Sequence, residues 1–338
     1  MTCVKKKIIL TAVIIICISL FASCATKGIP DSSTTQPSAA PAKAEVNIGV
    51  LKGPTGMGCV KLMQDNENGE TANSYNFTVA SAPEQITAKL ISGELDIAFI
   101  PTNAAAALNA KTDGKVKIAA ISTLGVLYLL ENGDTVSSVK DLNGKSILAS
   151  GKGSTAQYVL EYILEMNGLT AGEDVYINYA AEHTEAASQA LAGKADIVML
   201  PEPFVTSVRM QNDSFKVKLD LSEEWHKVTG NSLTMGAVAV RSEFADNNTE
   251  TLGIFLDEYK ASADFVNSNT EEASTLIEKY DIAKAAVAAK ALPNCSIVCL
   301  TGDEMKNAAD QFLTVLSETD ISAIGGKMPS DAFYYTVS

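Results

Sequence analysis

Apolar runs and amphipathic stretches alternate along the chain from residue 45 onward. Runs such as 46–51 and 95–100 are short and largely apolar, which is typical of buried strands. Helical patterns separate them, and the one at 83–91 is ended by Gly93. The last hundred residues are mainly helical. Their predicted helices are 249–268, 270–279, 281–291 and 303–317. Strands that alternate with helices predict βαβ units, a mostly parallel sheet and the α/β fold class.

A repeat with an offset of one hundred residues connects two halves of the chain. A helical pattern, a Gly, an Asp-Ile strand and a Pro at 81–105 recur without a gap at 181–205. The matched pairs are Gly93 and Gly193, Asp96 and Asp196, Ile97 and Ile197, and Pro101 and Pro201. Upstream of each copy, a strand at 46–51 or 146–149 leads into a glycine-rich turn. The shared order predicts two similar α/β lobes.

The loops at the strand ends are where this architecture places a ligand. In open α/β sheets, ligands bind beyond the carboxyl ends of the strands. The loops in question are 53–58 and 101–103 in the first half, and 151–155 and 201–204 in the second. If the lobes face each other, these loops converge on one cleft. Such a cleft can close around a small molecule by a hinge motion.

The N-terminus reads as a targeting signal. A basic stretch, Lys5 to Lys7, precedes the apolar run 8–21, which is short for a membrane span but suits a signal peptide. The sequence Leu-Phe-Ala-Ser-Cys that ends at Cys24 resembles a bacterial lipobox. We therefore predict a signal peptide at 1–23, lipidation of Cys24 and an extracytoplasmic, membrane-anchored protein. Ordinary secretory cleavage and an uncleaved anchor are the alternatives. The Ser-, Thr- and Pro-rich segment 24–44 is predicted to be a disordered tether.

Composition and charge narrow the partners. The chain has 40 acidic and 26 basic residues, a formal net charge of −14, which argues against nucleic acid as a partner. Only two His residues are present, so neither a multi-His metal site nor a cofactor is expected. No Walker A loop, HExxH motif or Ser-His-Asp set is visible. Cys295 and Cys299 could pair or remain separate thiols.

Several motifs resemble one known family. They are Gly53-Pro54-Thr55-Gly56, the repeated helix–Gly-x-x-Asp-Ile–Pro pattern, the segment 138–145 before a strand, and the segment 238–244 before a long helix. Together they resemble the type II solute-binding proteins of ABC importers, most closely the NMT1/THI5-like family with its SsuA- and TauA-like sulfonate, taurine and nitrate binders. The resemblance implies a two-lobe periplasmic-binding-protein-like fold with a hinge and a central cleft. It places the chain crossings near 124–126 and 235–237, which gives lobe one as 45–124 plus 238–338 and lobe two as 125–237.

The resemblance also implies a function. It predicts a monomeric, non-enzymatic lipoprotein that captures a small molecule and delivers it to an ABC permease and its ATPase. The ligand would be a nitrogen heterocycle, such as a thiamine-pyrimidine precursor, or an anion of the sulfonate or nitrate type. The alternative is a THI5-like pyrimidine synthase or another enzyme on the same fold. Those synthases use a His and a Cys-rich motif. The chain lacks such a Cys cluster, and we expect His183 to lie away from the predicted loops.

The candidate ligand-binding residues come from the four strand-end loops. They are Pro54, Thr55, Gly56, Met57, Thr102, Asn103, Ser154, Thr155, Glu202 and Phe204. Backbone N–H groups at a helix start favour an anion or a carbonyl, although the hydroxyls of Ser154 and Thr155 could instead cap a helix. Glu202 would pair with an amine or ring N–H of the ligand, or be a solvated surface carboxylate. Phe204 would stack on an aromatic ligand or belong to the core. Trp225 would cover the cleft or only the surface. We expect Glu202 and Asn103 to face one cleft from opposite lobes.

Overall fold

The structure, a computed structural model, describes residues 43–336. The predicted signal peptide at 1–23, Cys24 and the predicted tether 24–44, apart from Lys43 and Ala44, lie outside the described residues. Within the described range, no helix is long and apolar enough to cross a membrane.

Strands and helices alternate over the first two thirds of the described chain. The strands are β1 (Glu45–Leu51), β2 (Ser74–Ala80), β3 (Ile97–Pro101), β4 (Val116–Leu124), β5 (Leu127–Asn132), β6 (Ser146–Ala149), β7 (Tyr176–Tyr179), β8 (Ile197–Pro201), β9 (Phe215–Asp220), β10 (Thr234–Arg241) and β11 (Ile297–Leu300). The helices are α1 (Pro54–Met57), α2 (Val60–Glu67), α3 (Pro83–Ser92), α4 (Thr102–Lys111), α5 (Thr155–Met166), α6 (His183–Leu191), α7 (Phe204–Gln211), α8 (Leu221–Thr229), α9 (Ser242–Asn247), α10 (Thr249–Ser268), α11 (Thr270–Lys279), α12 (Ala285–Ala291) and α13 (Gly302–Thr319).

These strands form two separate sheets with the same plan. The first has the order β11-β4-β10-β3-β1-β2 and the second β7-β6-β8-β5-β9. In the first sheet β1 runs parallel to β2 and β3, whereas β10 is antiparallel to β3 and β4. In the second, β6 is parallel to β7 and β8, and β5 is antiparallel to β8 and β9. Each sheet therefore joins a parallel half to an antiparallel half, so it is less parallel than the sequence pattern predicts.

The antiparallel halves arise because the chain passes from one sheet to the other twice. Strand β4 ends at Leu124 in the first sheet, and β5 begins at Leu127 in the second. The return occurs between α8 and β10, where Thr234 already pairs with Leu124, slightly ahead of the predicted crossing at 235–237. We place the lobe boundaries in these two links. The strand that follows each crossing, β5 or β10, is antiparallel to both of its neighbours.

The repeat is preserved in three dimensions. Helix α3 and strand β3 are matched by α6 and β8, and the two strands begin at Ile97 and Ile197 and end at Pro101 and Pro201. Gly93 and Gly193, which follow the two helices, both adopt the left-handed conformation, with φ of 84° and 73°. Glycine is favoured where a helix ends in this way.

An apolar core connects the two lobes beside the crossings. Trp225 of α8 is fully buried, and its ring lies 5.2 Å from that of Tyr162 in α5 and 5.5 Å from that of Phe312 in α13. Neither predicted position of Trp225, over the cleft or on the surface, is found. Because α13 follows the first sheet and α8 belongs with the second, this aromatic contact holds the lobes together on one side.

Candidate ligand-binding cleft

Strand ends from both sheets line a partly open cavity of about 110 Å³. Its walls come from the ends of β1, β3, β4 and β8, the beginning of β10, and the first residues of α1, α6 and α7. Four of the predicted site residues line it: Pro54, Thr55, Glu202 and Phe204. Larger hollows of about 570 and 530 Å³ lie elsewhere, but each is lined by residues of one lobe. The cavity between the sheets is therefore the candidate site.

Glu202 is the carboxylate of this cavity. Its side chain is only 2% exposed, so the alternative of a solvated surface carboxylate is wrong. One carboxylate oxygen accepts the backbone N–H of Thr206 at 3.0 Å, and the other accepts the Thr206 hydroxyl at 2.9 Å. Burial raises the pKa of Glu202 in spite of these hydrogen bonds and the nearby charge of Arg209. Each oxygen retains capacity for a further hydrogen bond, which a donor in the cavity can fill.

His183 lines the same cavity, and the expectation that it lies away from the site is wrong. It begins α6, its ring centroid is 5.2 Å from that of Phe204, and its Nδ1 is 2.6 Å from the Ser150 hydroxyl oxygen. Burial lowers the pKa of His183 to about 4, so the ring is neutral at physiological pH. The sequence offered a signal for this position, since His183 begins a helix shortly after a strand, as the candidate ligand-binding residues do.

Asn103 and Thr155 meet across the lobes but use their polar atoms on each other. The Thr155 hydroxyl donates to Asn103 Oδ1 at 2.9 Å, and Asn103 Nδ2 donates to the carbonyls of Ala323 and Gly153 at 3.2 and 3.4 Å. Neither side chain lines the cavity. These hydrogen bonds join α4 to the beginning of α5, and the assignment of Asn103 and Thr155 as ligand contacts stays a prediction.

The other candidates also stand behind the cavity wall. The Ser154 hydroxyl donates to Gly151 O at 2.6 Å and accepts the Ala156 N–H, so it caps α5, as the alternative interpretation proposed. Met57 is fully buried, with its sulfur 3.9 Å from that of Cys295. A Cβ at Gly56 would lie 2.4 Å from Leu51 O, so glycine there permits the tight turn. Thr102 is fully buried outside the lining.

Unpaired hydroxyls lie where the chain crosses between the lobes. Ser122, Thr123 and Thr234 are at most 2% exposed, and their hydroxyl oxygens make no hydrogen bond with the described residues. Thr123 also lines the cavity, although its hydroxyl oxygen is itself buried. Gly236 faces it, since a Cβ there would lie 3.0 Å from Thr55 Cγ2 and 3.2 Å from Thr123 Oγ1. A side chain at residue 236 would therefore press against this wall of the cavity.

Cationic side chains contribute little to the cavity. Lys52 lines it, but its ammonium is held 2.8 Å from the Asp281 carboxylate. Neither Arg209 nor Arg241 belongs to the lining, and Arg241 is paired with Asp96 at 2.7 Å. The buried Glu202 therefore faces a cavity without a free positive charge among the described lining residues.

The cysteines and possible metal ligands add no chemistry to the described part of the chain. Cys59, Cys295 and Cys299 are free thiols, and burial raises the pKa of each. Residues 43–336 contain no group of three or more His, Cys, Asp or Glu side chains arranged to hold a metal ion.

Known proteins with a similar sequence or fold include components of ABC transporters. The family model described as Menaquinone biosynthesis matches residues 63–318. A crystal structure of an ABC transporter protein from Parabacteroides distasonis is 25% identical, with a TM-score of 0.74 over 88% of this chain and 100% of that one. The aliphatic sulphonate binding protein SsuA from Escherichia coli is 18% identical, with a TM-score of 0.67 over 83% of this chain and 89% of that one.

A third structure extends the range of ligands in this fold. The periplasmic nitrate-binding protein NrtA from Synechocystis is 14% identical, with a TM-score of 0.60 over 83% of each chain. These last two likenesses, to the sulphonate and nitrate binders, show the fold alone. No curated protein matches the chain significantly.

Proposed function

The chain belongs to the family described as Menaquinone biosynthesis and has the fold of ABC-type solute-binding proteins, and from these two facts we propose that it is the substrate-binding component of an ABC importer. It captures a small organic molecule between its lobes and passes it to the membrane permease. The partners are that permease with its ATPase and the small molecule itself.

One observation carries this proposal. The cavity lies between two sheets of the same plan, at the carboxyl ends of strands from both, and it contains a buried carboxylate, a neutral imidazole and an aromatic ring from Glu202, His183 and Phe204. Small-molecule sites are typically concave and mostly apolar, with a few polar groups that orient the ligand. A ligand in this position contacts both lobes at once, which links binding to their relative movement.

Two ligand classes are consistent with the fold. The relatives that bind sulphonates and nitrate favour an oxyanion. The buried Glu202 and the aromatic Phe204 favour a nitrogen heterocycle, such as a thiamine-pyrimidine precursor.

The proposed location is outside the cytoplasm. The predicted signal peptide at 1–23 and the lipobox-like sequence before Cys24 support a lipid anchor on the outer face of the cell membrane. An anchored protein with a tether keeps its captured molecule close to the permease.

A second candidate function is enzymatic, because the matching family is described as biosynthetic. In that case Glu202 and His183 would act as acid and base on a bound substrate. Incubation of the purified protein with the molecule that it carries separates the two, since a binding protein returns that molecule unchanged. A chemically altered product, identified by mass spectrometry and lost in Glu202→Gln, would establish the enzyme.

Native mass spectrometry of the full chain tests the binding function. Protein purified from its own host should carry an additional small mass, and that molecule can then be identified. Gly236→Ala adds a methyl group next to Thr55 and Thr123 and should abolish the additional mass. Gly253→Ala is the matched control, because nothing lies within 4 Å of its added Cβ. Protein that folds, carries nothing and binds no small molecule in screening would exclude the proposal.

A further inference from the structure

His183, which lines the cavity, is hydrogen-bonded to Ser150 behind the wall. Ser150 is 1% exposed and does not line the cavity, whereas His183 does. Their contact, 2.6 Å from the Ser150 hydroxyl oxygen to Nδ1, is the one hydrogen bond that either side chain makes with the described residues. The imidazole ring also packs against the Phe204 ring, with 5.2 Å between the two centroids. The imidazole is therefore held on two sides, and its Nε2 has no partner in the described part of the protein.

The hydroxyl proton decides which ring nitrogen carries hydrogen. If Nδ1 carried the proton and donated to Ser150, the serine hydrogen would be buried without an acceptor, which is costly. If instead Ser150 donates to Nδ1, both buried atoms are satisfied and the proton of the neutral ring is on Nε2. A charged ring is disfavoured, because burial without an anionic partner opposes protonation.

We propose, on the basis of the binding function above, that Ser150 positions His183 as a neutral Nε2–H donor, and that this donor together with Glu202 selects a small, flat, uncharged molecule with a hydrogen-bond acceptor beside an N–H donor. The acceptor of the ligand receives the His183 proton, and its N–H group donates to the carboxylate. Amino-substituted nitrogen rings and cyclic amides have such an edge. His183 is then a recognition residue and Ser150 a positioning residue.

The volume of the cleft is consistent with a small ligand, since about 110 Å³ is of the same order as the roughly 150 Å³ of a cavity that holds benzene. Thr123 also lines the cleft, and its buried hydroxyl oxygen has no hydrogen-bond partner among the described residues.

An oxyanion would find a carboxylate and no free cation among the described lining residues. It would lie against the Glu202 carboxylate, and Lys52, the cation of the lining, is occupied by Asp281. A neutral Nε2–H donates one hydrogen bond but contributes no positive charge. The cavity therefore disfavours the sulfonate and nitrate class that the fold relatives bind.

Nitrogen-15 NMR of the imidazole rings tests the positioning directly. The chain has two His residues, so His226→Gln assigns both spectra at once. We expect His183 to show a protonated Nε2 and an unprotonated Nδ1 at pH 7.5, with no change down to pH 5.5. An imidazolium or an Nδ1–H tautomer at His183 overturns the proposal and leaves the binding function intact.

Calorimetry with defined probes tests the selectivity. 4-Aminopyrimidine, ethanesulfonate and nitrate are titrated into the full chain, and 4-aminopyrimidine should bind at least tenfold more tightly than either anion. Ser150→Ala should weaken 4-aminopyrimidine binding about five- to tenfold and remove the tautomer preference, with Ser150→Thr restoring both. Ser214→Ala, at an exposed serine, is the control. Tighter binding of an anion, no binding of 4-aminopyrimidine, or wild-type behaviour of Ser150→Ala overturns the proposal.

If Ser150→Ala does not fold, the wild-type tautomer and the order of the three affinities decide the matter. The binding function fails on a different result, which is protein that neither carries nor binds any small molecule.

Discussion

Glu202 shows at the residue scale how one buried side chain separates two ligand classes. Glu202→Gln keeps the shape and removes the charge. A ligand that donates an N–H to the carboxylate should bind roughly ten- to a hundredfold more weakly, since a buried hydrogen bond to a charged group contributes about 1.5–3 kcal/mol. An anionic ligand should bind equally well or better, because a repelling carboxylate disappears. Isothermal titration of the carried molecule measures the change.

The matched control for this variant is Glu243→Gln on α9, outside the cavity lining. A change of less than twofold at both positions, in folded protein, would contradict the placement of Glu202 in the site.

His183 gives a prediction for stability against pH. Its pKa is about 4 in the folded protein, below the ordinary value of about 6.5, so the unfolded state binds the extra proton between these values. The free energy of unfolding should therefore decrease as the pH falls from about 6.5 to about 4, by on the order of 3 kcal/mol from this residue.

Denaturant unfolding of His183→Gln should lack this component, whereas His226→Gln, at an exposed position of α8, should keep it. Identical pH profiles for the wild type and His183→Gln would contradict the burial of the imidazole.

The sequence indicates some of these site residues and not others for physical reasons. Glu202 and Phe204, which line the cavity, stand out in the sequence because the repeat places a strand end immediately before them. Asn103 and Thr155 have the same setting, but whether a polar side chain faces a ligand or a neighbour depends on how closely two helices approach across the lobes. His183 was missed because the orientation of its ring depends on the turn after β7 and on the contact with Ser150.

The hydrogen bond between α4 and α5 is the feature to test at the scale of elements. Thr155→Val removes the hydroxyl and leaves Asn103 Oδ1 buried without a partner, which costs about 1–3 kcal/mol. The midpoint of urea unfolding should fall accordingly. Thr275→Val, at an exposed position of α11, is the control and should change little. Equal midpoints for both variants would mean that this contact between the lobes does not stabilise the fold.

Hydrophobic periodicity predicts the long elements better than their ends and their pairing. The helices predicted at 249–268 and 270–279 are confirmed, and so is the repeated strand that ends at Pro101 and Pro201. The helix predicted from 281 begins only at Ala285, because Asp281 adopts a positive φ of 54°. Strand β11 has four residues and a register shift, so it leaves almost no periodic signal. The antiparallel direction of β5 and β10 follows from the crossings between lobes, which periodicity does not encode.

For the whole molecule, the α/β fold class, the two-lobe architecture and the family were predicted correctly. They could be predicted because a repeat with a constant offset reports on architecture without any knowledge of side-chain contacts. The ligand could not, since the cavity combines side chains from both halves of the chain.

Ligand binding should stabilise and compact the whole molecule. A ligand that binds only the folded state at a hundredfold excess over its Kd adds about 2.7 kcal/mol to the free energy of unfolding. Thermal unfolding should shift upward, and small-angle X-ray scattering should show a smaller radius of gyration as the lobes close. Gly236→Ala, which adds a methyl group against Thr55 and Thr123 in the cavity wall, should show neither effect. An unchanged radius with a raised melting temperature would contradict hinge closure.

Attachment to the membrane would also concern the whole protein, and the predicted anchor, Cys24, lies outside the described residues. Cys24→Ala should move the protein from the membrane to the soluble extracytoplasmic fraction, because the variant lacks the residue whose acyl chains would hold it at the membrane. Fractionation followed by mass spectrometry of the N-terminal peptide measures this. Membrane retention of Cys24→Ala, with no lipid on residue 24 of the wild type, would contradict the lipoprotein assignment.

We propose that a small molecule binds between the lobes at Glu202, His183 and Phe204. A crystal structure of the full-length protein with the molecule that it carries through purification tests this most directly. We expect density in the cavity of about 110 Å³, in contact with residues of both lobes and within hydrogen-bond distance of the Glu202 carboxylate. Density in a hollow within one lobe, such as the one lined by Glu131 and Asp196, with the interlobe cavity unfilled, would contradict it.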